Sequence, residues 1–521
     1  MDFADAVVIG SGPNGLAAAA YLGRAGWKVT VLERSEVPGG AVRSEELTEP
    51  GYTHDTFSAF YGLLRATPVF AELGLDRGVE WAQFDMPVST LTTPKEAGLL
   101  YSKPEETARS LSEIDANDGR AWRDLYAWWL RSGRQFFAAV TAPIPPIMEG
   151  LRFLRTSGIG GSIETAKRSL QPMEALAERL FSSDTARALL ASGVSHADLA
   201  VDEAGSTPGA LILAMVAQEN GMPVPIGGAG RLAEAMTAAV KDAGVTVECG
   251  RDVTKVIVEG GRAVGVETAQ GDSIRARRAV LADTGPLALF RDLAGEDTVP
   301  KSYLEGLRRF RYGSGVFKID LALNGLVPWS LEELSACGVV HVTGGLENMA
   351  RAAHGNKRGL IPAEPLLIVG QQSVADPTRA PEGCHTLWIE THVPSSPRAD
   401  AANEIEEPGW ASAREPFLER VLSRLEDHAP GVRDRIVGTS VMTPPDLERA
   451  DPNLVGGDVG GGSIALDQQL IFRPVPGWFR YRTPVKGLYL CSASAHPGGG
   501  VHGLVGRNCS RRVLRDARRL W

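Results

Sequence analysis

The chain has 521 residues, 43% of them hydrophobic and 22% charged, with a formal net charge of -9 and a pI near 5.6. A chain of this size buries a large core and divides into two or three domains. The acidic balance excludes a general nucleic-acid binder, whose surface must neutralise phosphates with clustered Lys and Arg.

Cys249, Cys337, Cys384, Cys491 and Cys509 are odd in number and widely spaced, with no CxxC. This speaks against a disulfide framework, a redox-active dithiol and a zinc site, so no metal is expected, and it fits a reducing, cytoplasmic compartment. The N-terminus enters its first strand almost at once, leaving no room for a cleaved leader. No uninterrupted apolar run reaches the roughly 18 residues of a membrane span. The expectation is a soluble protein, or at most one bound to a membrane surface.

In chain order, Ala6 to Ile9 reads as a buried parallel strand. Gly10, Gly12 and Gly15, with Pro13 and Asn14 between them, then let the backbone turn tightly and approach a pyrophosphate. The phosphate would rest on the N-terminus of the alanine-rich helix from Asn14 to Ala25, stopped by Gly26. The next strand, Trp27 to Leu32, delivers Glu33, with Arg34 beside it, where a ribose hydroxyl needs an acceptor. Strand, glycine turn, helix, strand and acid in this order predict a dinucleotide site. Gly39 and Gly40, followed by Arg43, read as backbone lying against the extended cofactor. The segment from Gly51 to Ser58 contains His54 and Asp55, and reads either as facing the cofactor's reactive ring or as a solvent loop.

From about residue 85 to 224 the pattern is helices broken by prolines. Trp122, Tyr126, Trp129, Phe136 and Phe137 lie near helical spacing, which suits either core or an apolar substrate tunnel or lid. The run from Ala142 to Met148 cannot continue a helix. Pro208 opens another apolar helix ending near Gly221.

The cofactor domain then resumes. Residues 225 to 231 lead into a helix to Ala243, capped by Gly244, and a strand from Val245 to Glu248. Val253 to Glu259 and Ala263 to Thr268 alternate around Gly260 and Gly261, a hairpin signature. A strand from Arg278 to Ala282 closes on Asp283. No strand and acid follow the Gly227 to Gly230 run, so no second, nicotinamide-binding domain is expected.

Residues 291 to 479 read as a mixed substrate domain with strands at Gly315 to Leu323, Leu366 to Val369 and His385 to His392, and a helix near Pro416 to Asp427. The glycine-dense run from Gly456 to Gly462 reads as a loop. Last comes a buried strand, Gly487 to Cys491, then Ser492 to Gly503 with Gly498, Gly499, Gly500, Val501 and His502, and a helix carrying Arg507, Arg511, Arg512, Arg515, Arg518 and Arg519. That arginine row reads as a solvated helix face rather than a membrane or partner patch. Backbone N–H groups from Gly500 to His502 would stabilise the negative charge of a reduced flavin. The two ends of the chain would then clasp one FAD.

Together, the Gly10 to Gly15 turn, Gly39 to Arg43 and His496 to Gly503 resemble the phytoene desaturase (carotenoid desaturase and isomerase) group of FAD-dependent oxidoreductases. The likeness runs over nearly the whole length. Within the group the chain is most similar to the branch of pyridine nucleotide-disulfide oxidoreductase domain-containing protein 2, although it has no dithiol. The resemblance implies the fold of flavin amine oxidases and Rab escort proteins, non-covalent FAD and hydride removal from an apolar substrate. It implies FAD contacts at Gly10, Gly12, Gly15, Glu33, Arg34, Gly40, Arg43, Val253, Gly500 and Val501. Pro13, Asn14, Gly39, Asp283, Gly499 and His502 complete the expected cofactor set. The chain departs from the pattern at Ser492 and Ser494, where relatives carry glycines, and lacks the acid that often binds the ribityl chain there.

The expected architecture is α/β: a discontinuous, Rossmann-like FAD-binding domain of the glutathione reductase/amine oxidase type from residues 1–85, 225–290 and 480–521. A helical substrate or lid region at 86–224 and a mixed α+β substrate domain at 291–479 complete it. The expected activity is FAD-dependent dehydrogenation of a small hydrophobic, polyene or isoprenoid, substrate, with peripheral membrane contact as a further expectation. His502 is the candidate polar group near the reacting carbon, with His54 and Asp55 behind it. Amine oxidation and a non-catalytic lipid- or partner-binding role of the Rab escort kind remain as alternatives.

Overall fold

A computed structural model describes residues 2–518; Arg519 lies outside the described residues. Two seven-stranded sheets organise the chain. In the first, the strands Val253–Glu259, Arg262–Thr268, Ser273–Ala282, Asp2–Ile9, Val29–Leu32 and Thr246–Glu248 lie in that order, with Leu488–Leu490 also pairing with Ser273–Ala282. Its central pairs are parallel, and the hairpin around Gly260 and Gly261 is antiparallel to them. The fully buried runs Ala6 to Val8 and Val29 to Leu32 suit a parallel sheet covered on both faces. The covering helices are Pro13–Arg24, Ala229–Asp242 and Leu504–Ala517. A parallel-centred sheet covered by helices on both faces is the Rossmann-like fold class that was expected.

Helix Leu504–Ala517 presses directly on Pro13–Arg24 because residue 506 is glycine: a Cβ there would run into the Asn14 carbonyl. Of its arginines, Arg507 forms a bidentate pair with Glu72 at 2.6 and 2.7 Å, and Arg512 lies 3.4 Å from Asp516.

The second sheet has the order Ile436–Met442, Gly315–Leu323, His385–Val393, Leu367–Gly370, Cys337–Val342, Met86–Thr93, Glu96–Leu100. Residues 86–100 thus belong to this sheet rather than to the helical region that was expected to begin at 86. Strand Met86–Thr93, with its Val and Thr residues suited to a pleated surface, pairs in parallel with Cys337–Val342, a partner far away in sequence. One face of the sheet packs Phe317, Ile319, Leu321, Leu387 and Ile389 against the helix Trp410–His428. The opposite face turns toward the cofactor domain: Val316 meets Phe57 and Ala41, and Ile368 and Trp388 meet Ala59. The helical region contains Trp122, Trp129 and Phe136 as core, and Trp122 and Trp129 donate to Gln218 and Glu219. No helix among the described residues is long and apolar enough to cross a membrane.

Gly506→Val should destabilise the protein by about 1–3 kcal/mol through the overpacked helix contact, seen in chemical denaturation; an unchanged midpoint contradicts the close approach of the two helices.

Candidate cofactor site and substrate face

The site begins where strand Asp2–Ile9 ends. Gly10 has φ +90°, and a Cβ on Gly15 would collide with the Gly10 carbonyl; a left-handed backbone of this kind disfavours any side chain. A Cβ on Gly12 would lie 2.7 Å from Asp283 Oδ2. Pro13 occupies the first helical position, where its missing N–H costs nothing. Glu33, 7% exposed, accepts from the Ser11 N–H and hydroxyl, both at 2.8 Å, and from the Ser35 N–H at 2.9 Å. The Gly39 N–H donates to the Ser11 carbonyl at 3.1 Å, and a Cβ on Gly40 would stand 3.1 Å from Gly12 Cα. Gly10 to Gly15, Glu33 and Gly39 to Gly40 thus converge on one turn. Val253 is buried at the start of its hairpin strand, and Arg34 is exposed.

Asp283 closes the turn from the next strand. Its Oδ2 accepts from the Gly15 N–H at 2.7 Å. Burial pushes the carboxyl up to about 7 from an ordinary 3.8; Asp451 and Glu33 push the same way and the Gly15 N–H opposes them. A carboxyl raised in this way stabilises the fold while protonated and loses that contribution as pH rises from about 4 through 7. A phosphate held at the turn would act on Asp283 in the same sense.

The closing turn leads into helix Leu504–Ala517, with Gly503 as its N-cap. Gly500 has φ +99° and faces Leu63, whose Cδ1 would be 3.2 Å from an added Cβ. Thr67 donates to the His502 carbonyl at 3.2 Å. A Cβ on Gly499 would strike the Gly460 carbonyl, in a loop held by Asp458, which accepts from the N–H groups of Gly313, Gly460 and Gly462. The glycine-dense loop therefore buttresses the closing turn. Val501, half-buried, packs against the cofactor-domain core.

The three candidate polar residues have definite partners. His502 Nδ1 accepts from the Leu504 N–H at 3.0 Å, capping the last helix, and burial lowers its pKa to about 4. His54 Nε2 is 2.7 Å from the Thr48 hydroxyl, and its Nδ1 is 3.6 Å from Asp320 Oδ1. Burial and the Lys318 and Arg379 charges lower His54 to about 3, so both imidazoles are neutral at pH 7. Asp55 accepts from the Ser44 hydroxyl, the Ala229 N–H and Arg379 at 2.7–2.8 Å. Arg379 also binds Asp376 and the Pro225 carbonyl, so Asp55 pins the segment above the sheet to the cofactor domain.

Two buried polar atoms along these turns lack a hydrogen-bond partner among the described residues, Asn14 Oδ1 and Ser492 Oγ, and Arg43 Nε lies 3.5 Å from Glu45 Oε2 without a hydrogen bond. Arg43 stacks over Phe57 at 5.1 Å. Buried polar groups are rarely left unpaired. A phosphate- and hydroxyl-rich group laid from the first glycine turn toward Ser492 would satisfy them, so the residues fit FAD. The Pro13–Arg24 helix end and its glycine turn would hold the phosphates, Glu33 the adenosine ribose, and the N–H groups of Gly500 to His502 the charged edge of the ring. FAD supplies a two-electron acceptor.

These features define a flavin-dependent oxidoreductase. The family model for flavin containing amine oxidoreductases matches residues 14–323, and the chain belongs to that family. It is 28% identical to pyridine nucleotide-disulfide oxidoreductase domain-containing protein 2 of Rattus norvegicus, covering 99% of this chain and 94% of that one. A limonene dehydrogenase polypeptide of Castellaniella defragrans is 25% identical over 98% of this chain and 94% of its own. Among solved structures, an oxidoreductase from Methanosarcina mazei superposes with a TM-score of 0.61 at 17% identity, over 98% of this chain and 99% of that one. The cofactor is FAD.

Sequence reasoning did not pick out Lys318, Asp320 and Glu390 on the cofactor-facing side of the second sheet. The available signal was a charge repeated on one face of otherwise apolar strands.

In the FAD-loaded protein, loss of flavin should rise above pH 7 by up to about tenfold per unit as Asp283 ionises, and Asp283→Asn should flatten this dependence. Equal pH profiles of flavin release for the two proteins contradict the assignment.

Proposed function

We propose that this FAD-dependent oxidoreductase removes hydride from a carbon of a hydrophobic substrate of the polyene or isoprenoid class. The observation that carries this reading is a pocket of about 330 Å³ whose lining is almost wholly apolar. Phe136, Val140, Ile144, Phe153, Leu470 and Ile471 line it, and it reaches His496 at the start of the closing turn. Burial lowers His496 to about 4, which leaves it uncharged at pH 7. Among the described residues no carboxylate lines the pocket to receive an ammonium group, which favours carbon dehydrogenation over amine oxidation. The similarity to a protein named for limonene, an isoprenoid hydrocarbon, supports the same class.

Above the pocket, helix Ile147–Leu170 exposes Ile147, Met148, Leu151, Ile159 and Ile163, and the facing loop exposes Leu470 to Phe472. Exposed apolar area on this scale suits contact with a lipid surface, from which an apolar substrate would enter.

Anaerobic mixing with a panel of terpenes and polyenes on one side and primary amines on the other tests the reading. Bleaching of the flavin band by a terpene or polyene is the expected result; bleaching by amines alone contradicts it.

A further inference from the structure

Strand Gly315–Leu323 sends Val316, Lys318 and Asp320 to the cofactor-facing side of the second sheet, while strand His385–Val393 sends Trp388, Glu390 and His392 there. Glu390 stands directly across from Lys318 on one side and Ile368 on the other, and the row continues to His341. Lys318 and Asp320 are each 1% exposed and form an ion pair with one another. Glu390 differs from them. Among the described residues its carboxyl makes no hydrogen bond and no ion pair, and its 8% exposure shows that it borders open space.

A buried carboxyl without a partner is costly, and its position suggests what it is for. Its strand neighbour Trp388 donates to the Phe57 carbonyl at 3.1 Å, and Ile368 packs on Ala59. The segment from His54 to Tyr61 therefore lies over this part of the sheet. The same segment continues to Leu63 and Thr67, which touch Gly500 and His502. The segment that covers Glu390 is thus the same one that runs on to the closing turn, and these are the two stretches expected to flank the flavin ring.

We propose that Glu390 is a catalytic residue that accepts the proton lost from substrate carbon, an assignment that rests on the hydride-removing function proposed above. One C–H bond breaks and its electron pair leaves with hydrogen, as hydride, to FAD. The C–H bond on the adjacent carbon also breaks; its electron pair becomes the second bond of the new C=C, and its proton goes to the Glu390 carboxylate. The charged and titratable groups around it are Lys318 and Asp320 on the neighbouring strand, His54 on the overlying segment, His341 further along the row and His392 on its own strand. Burial pushes Glu390 up to about 8, with Asp320 acting the same way and Lys318 opposing, so flavin reduction by substrate should quicken as pH rises through 8.

The test uses the FAD-loaded protein without organic substrate: the midpoint potential of bound FAD measured against pH by dye equilibration. Reduction places negative charge on the ring, so a carboxyl facing it takes up an extra proton around pH 8. This steepens the potential's slope by up to about 30 mV per pH unit, the equivalent of one proton on a two-electron couple. Glu390→Gln should lose the steep interval, and Glu390→Asp should keep it at a shifted pH. The same profile in wild type and Glu390→Gln overturns the proposal. Should Glu390→Gln fail to retain flavin, indicator-measured proton uptake on photoreduction decides. Extra uptake near pH 8 in wild type, shifted in Glu390→Asp, supports the proposal, and its absence overturns it. A potential that depends on Glu390 in a protein no terpene or polyene reduces would count against the substrate class and not against the residue's position.

Discussion

The structure depends on one backbone contact between the two ends of the chain. Helix Leu504–Ala517 can lie against helix Pro13–Arg24 only because Gly506 brings no side chain to the Asn14 carbonyl. That contact brings the helix that follows the closing turn against the helix that follows the Gly10 to Gly15 turn. Strand Leu488–Leu490 completes the arrangement by adding in parallel to Ser273–Ala282, itself the partner of the first strand. A cofactor long enough to touch both turns can then be held by groups that local folding alone could not bring together.

A second constraint fixes the other wall of the site. Asp55, Arg379 and Asp376 are buried and bonded to one another, and the network extends to Ala229, Pro225 and Gly227. Buried ion pairs give little net stability unless their remaining bonding capacity is filled, and here backbone groups of the Pro225 to Ala229 stretch fill it. The network holds the segment from His54 to Tyr61 across the second sheet. The same sheet face leaves Glu390 without a partner among the described residues, next to the paired Lys318 and Asp320. The wall built on Asp55 is therefore fully bonded, while the sheet face it covers carries the Glu390 carboxyl without a hydrogen bond or ion pair among the described residues.

Much of the cofactor domain was legible in the sequence because its signals are local. Gly10, Gly12, Gly15 and Glu33 lie in one strand, helix and strand unit, and the hairpin around Gly260 and Gly261 announces its own turn. The second sheet was less legible. Gly315–Leu323 and His385–Val393 were expected nearly as they occur, but Cys337–Val342 and Ile436–Met442 were not. Residues 86–100 join a sheet whose other strands begin more than two hundred positions later, and no local pattern encodes that pairing. The candidate polar residues illustrate the same limit: the sequence put His502 at a helix start and Asp55 near the ring, whereas their observed bonds, a helix cap and a buried ion pair, depend on backbone positions that only the fold supplies. Glu390 carried a readable signal, a charge on the same strand face as Lys318, which becomes informative once the two strands are known to be neighbours.

The most direct test is an experimental density map of the FAD-loaded chain. Continuous cofactor density is expected from Glu33 and the Gly10 to Gly15 turn to Gly499, Gly500 and Val501, with the ring lying under the sheet face that carries Glu390. Cofactor density confined to the first turn, or a ring directed away from the closing turn, would contradict the account.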